Sequence, residues 1–203
     1  MDFFMLKIIY SIISNPSIKG FTLIELMVSV SVTSILAAIA VPNFSAFLSQ
    51  MRVDNEISVL HRLLFTARNA AINNALPVTI CPLNDDNQCT TQWQNEISVF
   101  IDLNNNTAYD PINNEILLRT KSAIRDDDKL QYGLWRSRII YAPTGRTAGW
   151  GSNGTFKYCP KGYPEQSRAI RIATSGRLYI SSDIDQDGRD EVRSGSEINC
   201  RTE

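Results

Sequence analysis

One carboxylate stands where an apolar run should exclude it. Residues 21–40 are apolar-biased throughout, and Glu25 is the one ionisable side chain in that stretch. Taken as helix, these 20 residues rise about 30 Å, the thickness of a bilayer's hydrocarbon core. An ionisable group inside such a span is costly and by default marks a function. The chemistry open to it is charge pairing. Were the chain cut between Gly20 and Phe21, a new α-amino group would appear four residues ahead of Glu25, about one helical turn away. In a bundle of such helices the carboxylate could pair with the amine of its own or a neighbouring subunit. That pairing would offset burial and set axial register. Two plainer readings stay open. One is a cleavable secretory signal ending at the small residues Ala38-Ile39-Ala40; the other is a simple anchor, which has no use for Glu25.

Two acidic loops offer a different chemistry. Asp183-x-Asp185-x-Asp187-Gly188-x-Asp190 sets hard oxygen ligands at alternate positions, with a glycine for the sharp turn, as a calcium loop requires. Ser194 stands at the twelfth position, where a bidentate glutamate is usual. Asp102-x-Asn104-x-Asn106-x-x-x-Asp110 is a weaker copy without the glycine. The competing reading of both is a solvated turn whose Asp and Asn side chains accept from nearby backbone amides. Calcium is thus the one candidate ion, at Asp183, Asp185, Asp187 and Asp190, and no organic cofactor is expected.

The four cysteines, Cys81, Cys89, Cys159 and Cys200, all follow the apolar run. An even count on a translocated domain suggests two disulfides, for which three connectivities exist. Cys81–Cys89 with Cys159–Cys200 is the favoured set, because the first closes a short loop and the second ties down the C-terminal tail. Zinc is disfavoured, since there is no Cys-x-x-Cys and the single histidine, His61, falls on an expected helix. With that one histidine, and with no phosphate-binding loop or nucleophile elbow, an enzyme is not expected. A net charge of −1 excludes a whole-protein field aimed at nucleic acid, though not a local basic patch.

The elements that must carry these groups follow from periodicity. Phe44, Phe47, Leu48, Met51, Ile57, Leu60, Leu64, Ala67 and Ala71 recur mostly at three- and four-residue spacings, the stripe of an amphipathic helix. One helix is therefore expected over residues 22–73, with Pro42 kinking or loosening it. Beyond Pro77 short β-like runs appear at residues 78–81, 97–101, 115–119, 138–141, 155–158, 168–173 and 177–181, separated by turn-rich stretches. Strands that follow one another without helices pair antiparallel. The expected fold class is α+β: a long N-terminal helix, transmembrane in its first half and amphipathic in its second, packed on an antiparallel β-sheet or small β-sandwich.

At the N-terminus, Lys19-Gly20-Phe21-Thr22-Leu23-Ile24-Glu25-Leu26-Met27-Val28 resembles the prepilin processing motif of type IV pilins and type II secretion pseudopilins. The resemblance implies cleavage after Gly20 by a prepilin peptidase, methylation of Phe21, and Glu25 as the assembly carboxylate. Val78-Thr79-Ile80-Cys81-Pro82, Cys89, Trp93, Val99-Phe100-Ile101-Asp102-Leu103-Asn104, Gly154-Thr155-Phe156 leading into Cys159, and Ser175-Gly176-Arg177 are similar to the GspH/FimT group of minor pilins. That group implies a pilin-like fold and a rare subunit of a filament's tip or initiation complex.

The organisation that results is a cytoplasmic leader over residues 1–20 that is removed, a transmembrane and assembly helix over 21–41, its amphipathic continuation over 42–75, and a periplasmic β-rich domain over 76–203. Lys7 and Lys19 precede the span, so the positive-inside rule keeps the leader in the cytoplasm. The expected location is the inner membrane, then a pilus or pseudopilus at the surface of a Gram-negative cell. Expected partners are other minor pilins and the major pilin, through the N-terminal helix. The leading function is a minor pilin priming a type IV pilus, with a type II secretion pseudopilin as the alternative. Some members of the group are DNA receptors for transformation, using arginines near the C-terminus. Here Gly176-Arg177-Leu178-Tyr179 keeps the first arginine and replaces the second by Tyr179. Arg177 and Arg171 are the DNA-binding candidates. Arg168 and Arg171 share no simple alternation with Arg177, and six acidic residues between Asp183 and Glu197 oppose phosphate.

Overall fold

A computed structural model describes residues 20–200, apart from the side chains of residues 41–43. The expected leader therefore lies outside the described residues except for Gly20. The chain divides into two units, Met1–Phe44 and Ser45–Glu203.

In the first unit, helix α1 (Leu23–Asn74) begins with a reciprocal cap. Thr22 Oγ1 accepts from the Glu25 amide at 3.3 Å, and the Glu25 carboxylate accepts from the Thr22 amide at 3.4 Å. This Thr-x-x-Glu box satisfies two of the amides that a helix start leaves without partners. The apolar part of α1 is long enough to cross a membrane by length and composition, with all its large side chains from Leu23 to Ile39 exposed. Its hydroxyls turn back on the helix: Ser29, Ser31, Thr33 and Ser34 donate to the carbonyls of Glu25, Met27, Ser29 and Val30. The backbone stays helical through Pro42.

In the second unit, α1 buries Val53, Ile57, Leu60, Leu64, Ala67 and Ala71, a stripe alternating four- and three-residue steps, against the β-strands. The expected stripe is corrected at its start. Phe44, Phe47, Leu48 and Met51 are about half exposed or more, and Val53, not part of the expected set, opens the buried face.

Two antiparallel sheets complete this core. The first has the order β3-β2-β1-β5-β6, from β1 (Val78–Pro82), β2 (Ile97–Ile101), β3 (Leu117–Lys121), β5 (Ile139–Tyr141) and β6 (Thr147–Ala148). The second has the order β4-β7-β8-β9, from β4 (Lys129–Tyr132), β7 (Gly154–Cys159), β8 (Arg168–Ile172) and β9 (Leu178–Ile180). A small hairpin, β10 (Glu191–Val192) with β11 (Ser196–Glu197), follows. Val78, Ile80, Ile97, Val99 and Ile139 from the first sheet meet Leu130, Phe156, Ile170 and Ile172 from the second and the stripe of α1 in one cluster.

Every residue of β1 and β2 is buried, because these inner strands of the first sheet are covered on both faces. The face away from the core cluster carries Thr79, Cys81 and Phe100. The loop beyond Pro82 closes over it through the Cys81–Cys89 disulfide and the Phe100–Tyr109 ring contact at 5.6 Å. Cys159 is bonded to Cys200, fastening the C-terminal segment to β7.

Ion pairs fix α1 over both sheets. Glu56 meets Lys121 of β3 at 2.7 Å, Asp54 meets Arg168 of β8 at 2.6 Å, and Arg52 meets the buried Asp128 at 3.0 Å. Asp128 also accepts from the Tyr158 hydroxyl at 2.5 Å and the Lys161 amide at 2.9 Å, so its charge is fully engaged.

Three tyrosines of this core make it sensitive to alkali. Burial pushes the phenols of Tyr132, Tyr141 and Tyr158 far above the ordinary range near 10, and the Asp128 contact raises Tyr158 further. The folded chain thus holds these protons more tightly than the unfolded chain does. The associated stability is complete below pH 10 and is lost as pH rises beyond it, by about 1.4 kcal/mol per pH unit for each phenol. In a pH titration, these phenols should ionise only in one cooperative step, seen as phenolate absorbance rising together with loss of far-ultraviolet circular dichroism. Ionisation of all seven tyrosines with the fold intact would refute this.

Candidate functional site

Glu25 sits at the third position of α1, its carboxylate turned toward the chain start rather than along the helix face. The Thr22 amide and hydroxyl both lie 3.4 Å from the same carboxylate oxygen, at the long end of hydrogen bonding. Phe21 and Gly20 are exposed immediately ahead. An amine created at Phe21 would lie one residue from the group that Glu25 already reaches. The helix dipole, positive at this end, favours the same negative charge. The cap was legible as Thr22-x-x-Glu25, a signal that the reading of Glu25 as a pure misfit overlooks.

The motif Ser175-Gly176-Arg177 forms the turn between β8 and β9. Gly176 has φ +77°, and a Cβ built there would fall 1.9 Å from the Gly145 carbonyl oxygen, so only glycine lets the two turns touch. That same oxygen accepts from Arg68 Nε of α1 at 2.9 Å. The turn leaves Arg177 exposed, and Arg171 is exposed on β8. Register sets Arg171 directly opposite Tyr179, while Arg177 lies in the turn just before β9 begins. The arginine over the Tyr179 ring is Arg193, 5.2 Å from its centroid, a residue the sequence reading did not single out. Arg168 is drawn away to Asp54 and Asp190.

Of the two acidic loops, the one at Asp102 is occupied by its own backbone. Asp102 is buried and accepts from the Thr79 hydroxyl and from the amides of Asn106 and Thr107 at 3.0–3.2 Å. Hydrogen bonds from Asn106 and then Asn104 hold the Asp110 carboxyl below its ordinary range. Glu115, expected to open a strand, is instead buried and accepts from the amides of Leu103 and Asp110, which explains why β3 starts two residues later. These bonds are those of the solvated turn that the sequence offered as the alternative to calcium.

In the Asp183 loop too, Asp183, Asp185 and Asp187 accept from backbone amides, those of Gly188, Asp187 and Arg189, at 2.8–3.3 Å. Asp183, Asp185 and Asp187 gather with Glu191, and Asp190 is not among them. Asp190 points the other way, accepting from Ser181 Oγ at 2.7 Å and facing Arg168 at 3.6 Å. Residue 191 begins β10, and strand alternation sends consecutive side chains to opposite sides, which separates Glu191 from Asp190. His61 lies half-buried on α1, stacked on Phe65 at 6.4 Å between ring centroids.

Comparison with known proteins gives these features a setting. Residues 56–176 match the family model described as type II transport protein GspH, and residues 15–41 match the prokaryotic N-terminal methylation motif. A 56-residue stretch is 45% identical to the type IV major pilin protein PilA of Myxococcus xanthus, covering 28% of this chain and 25% of that protein. A 54-residue stretch is 41% identical to a fimbrial protein of Pseudomonas aeruginosa, covering 27% of this chain and 35% of that one. The chain thus spans about a quarter to a third of the curated relatives it matches. The crystal structure of the type IV minor pilin FimU from Pseudomonas aeruginosa superposes with a TM-score of 0.52 at 17% identity, covering 67% of this chain and 92% of FimU, which shows a shared fold. With the GspH match over more than half of its length and the methylation motif ahead of it, this chain belongs to the GspH family of type IV pilins and pseudopilins.

Proposed function

We propose that this protein is a minor pilin of a type IV pilus, cut between Gly20 and Phe21, methylated at Phe21, and placed in the complex that primes filament assembly. The observation that carries the reading is Glu25: a lone carboxylate at the first turn of a helix apolar enough to cross a membrane, ahead of a GspH domain. In the inner membrane the helix anchors the precursor, with the β-domain on the periplasmic side. After processing, the new ammonium at Phe21 and the Glu25 carboxylates of neighbouring subunits pair inside the filament, and apolar helix packing supplies the assembly energy. The half-exposed Phe44, Phe47, Leu48 and Met51 continue that apolar surface toward adjoining helices.

Mass spectrometry of the membrane-extracted protein tests the processing step. The expected mature chain begins at a methylated Phe21. A chain that keeps residues 1–20, or one trimmed near Ala40, would overturn the reading.

A second reading is a type II secretion pseudopilin, favoured by the description of the matching family as a type II transport protein. Deleting the gene separates the two. Loss of surface filaments with normal exoprotein release supports the pilus, and the reverse supports secretion.

A further inference from the structure

The loop between β9 and β10 holds a buried acid that its surroundings leave incompletely satisfied. Asp183, Asp185, Asp187 and Glu191 each bring a carboxylate oxygen into a group whose members lie within 4.8 Å of one another. Three of these residues are exposed, and exposed acids gather without consequence in many loops. Glu191 is different. It is 4% exposed, and only its Oε2 has a donor, the Ile184 amide at 2.7 Å. Its Oε1 is buried with no hydrogen-bond partner. A buried carboxylate with one oxygen lacking a donor, grouped with three like charges, is disfavoured by both desolvation and repulsion. A cation at the centre of the group reverses both effects at once.

We infer that this loop binds one calcium ion, with Asp183, Asp185, Asp187 and Glu191 as its side-chain ligands. The ligand set is entirely hard oxygen, without the imidazole or thiolate that a zinc or copper site would draw on. Three aspartates at alternate positions with Gly188 at the bend suit the larger, adaptable coordination shell of calcium better than the strict octahedron of magnesium. Glu191 opens β10 and also bridges to Ser182 at the end of the preceding segment. The ion would therefore clasp both ends of the loop and hold the C-terminal hairpin in place. This inference is independent of whether the filament serves piliation or secretion.

The test uses the full chain purified in detergent, freed of metal with a chelator and titrated with calcium chloride in a calorimeter. Thermal unfolding is recorded with calcium and with chelator. One ion per chain is expected, with a higher unfolding midpoint in calcium. Glu191→Gln should weaken binding by about tenfold or more, whereas Asp190→Asn should change it less than about twofold. Asp185→Asn, at an exposed position, should weaken binding to a similar degree and serves if Glu191→Gln does not fold. Absence of both heat and stabilisation at about 10 mM calcium overturns the inference. So does a loss of affinity in Asp190→Asn matching that in Glu191→Gln, or unchanged binding in both Glu191→Gln and Asp185→Asn.

Discussion

Glu25→Ala should leave the precursor synthesised and cut while the number of filaments per cell collapses. Removing one member of a buried ion pair strands the other, at about 3–5 kcal/mol. Applied to the docking of each subunit, that is a loss of about a hundredfold or more in the association constant. The cap geometry makes a sharper experiment available. Glu25 also closes the start of α1 with Thr22, and loss of a cap costs about 0.5–2 kcal/mol of helix stability. Glu25→Gln retains a capping side chain but removes the charge. If pairing with an ammonium is the function, Gln and Ala variants should both fail to make filaments, counted by electron microscopy, with processing intact. Normal piliation in Glu25→Gln would reduce the residue to a helix cap.

The largest loss of stability should come from Trp93→Ala. Trp93 is 2% exposed and meets both Tyr132 and Phe156 edge-on, with ring centroids 5.0 Å apart in each case. Its Nε1 donates to the Arg136 carbonyl at 2.6 Å. Truncation leaves a cavity beside Tyr132 and Phe156 of the second sheet and an orphaned carbonyl, together about 3–5 kcal/mol. The unfolding midpoint of the detergent-solubilised chain should fall by about 10 °C or more. The other two tryptophans are the controls. Trp135 and Trp150 are 86% and 79% exposed, so replacing either by alanine should change stability by about 0.5 kcal/mol or less. A Trp93→Ala midpoint that moves no further than those of the two controls would mean that Trp93 does not anchor this core.

Much of this fold was legible from periodicity alone. The helix expected over 22–73 runs Leu23–Asn74, and six of the seven expected strands overlap their observed counterparts closely. The failures have identifiable causes. Strand β4, Lys129-Leu130-Gln131-Tyr132, alternates polar and apolar residues and buries Leu130 and Tyr132, but four residues are too short a run to stand out from the turn-rich stretches around it without its pairing to β7. The third strand shifted because Glu115, which looks like a strand residue, serves loop amides instead, and a register irregularity at Val99 and Phe100 absorbs the offset. The stripe of α1 ran too far toward the N-terminus because period cannot tell a face packed on its own sheet from one left open. Among the acidic residues, alternate spacing pointed to Asp190, and the start of β10 is what sets Glu191 beside Asp183, Asp185 and Asp187. Neither Arg193 over Tyr179 nor Arg171 opposite it was visible without strand register.

The hydroxyls of α1 bear on how such a subunit could move. Ser29, Ser31, Thr33 and Ser34 each donate to a carbonyl in the preceding turn. Side chains that find their partners within their own helix ask nothing of the medium around them, whether acyl chains or other helices. Withdrawal from lipid into a protein bundle then requires no rupture of polar contacts along this stretch, and small residues allow neighbours to come close once it is there. A helix built this way is equally at ease in two solvents, as a component that must be pulled from one into the other needs to be.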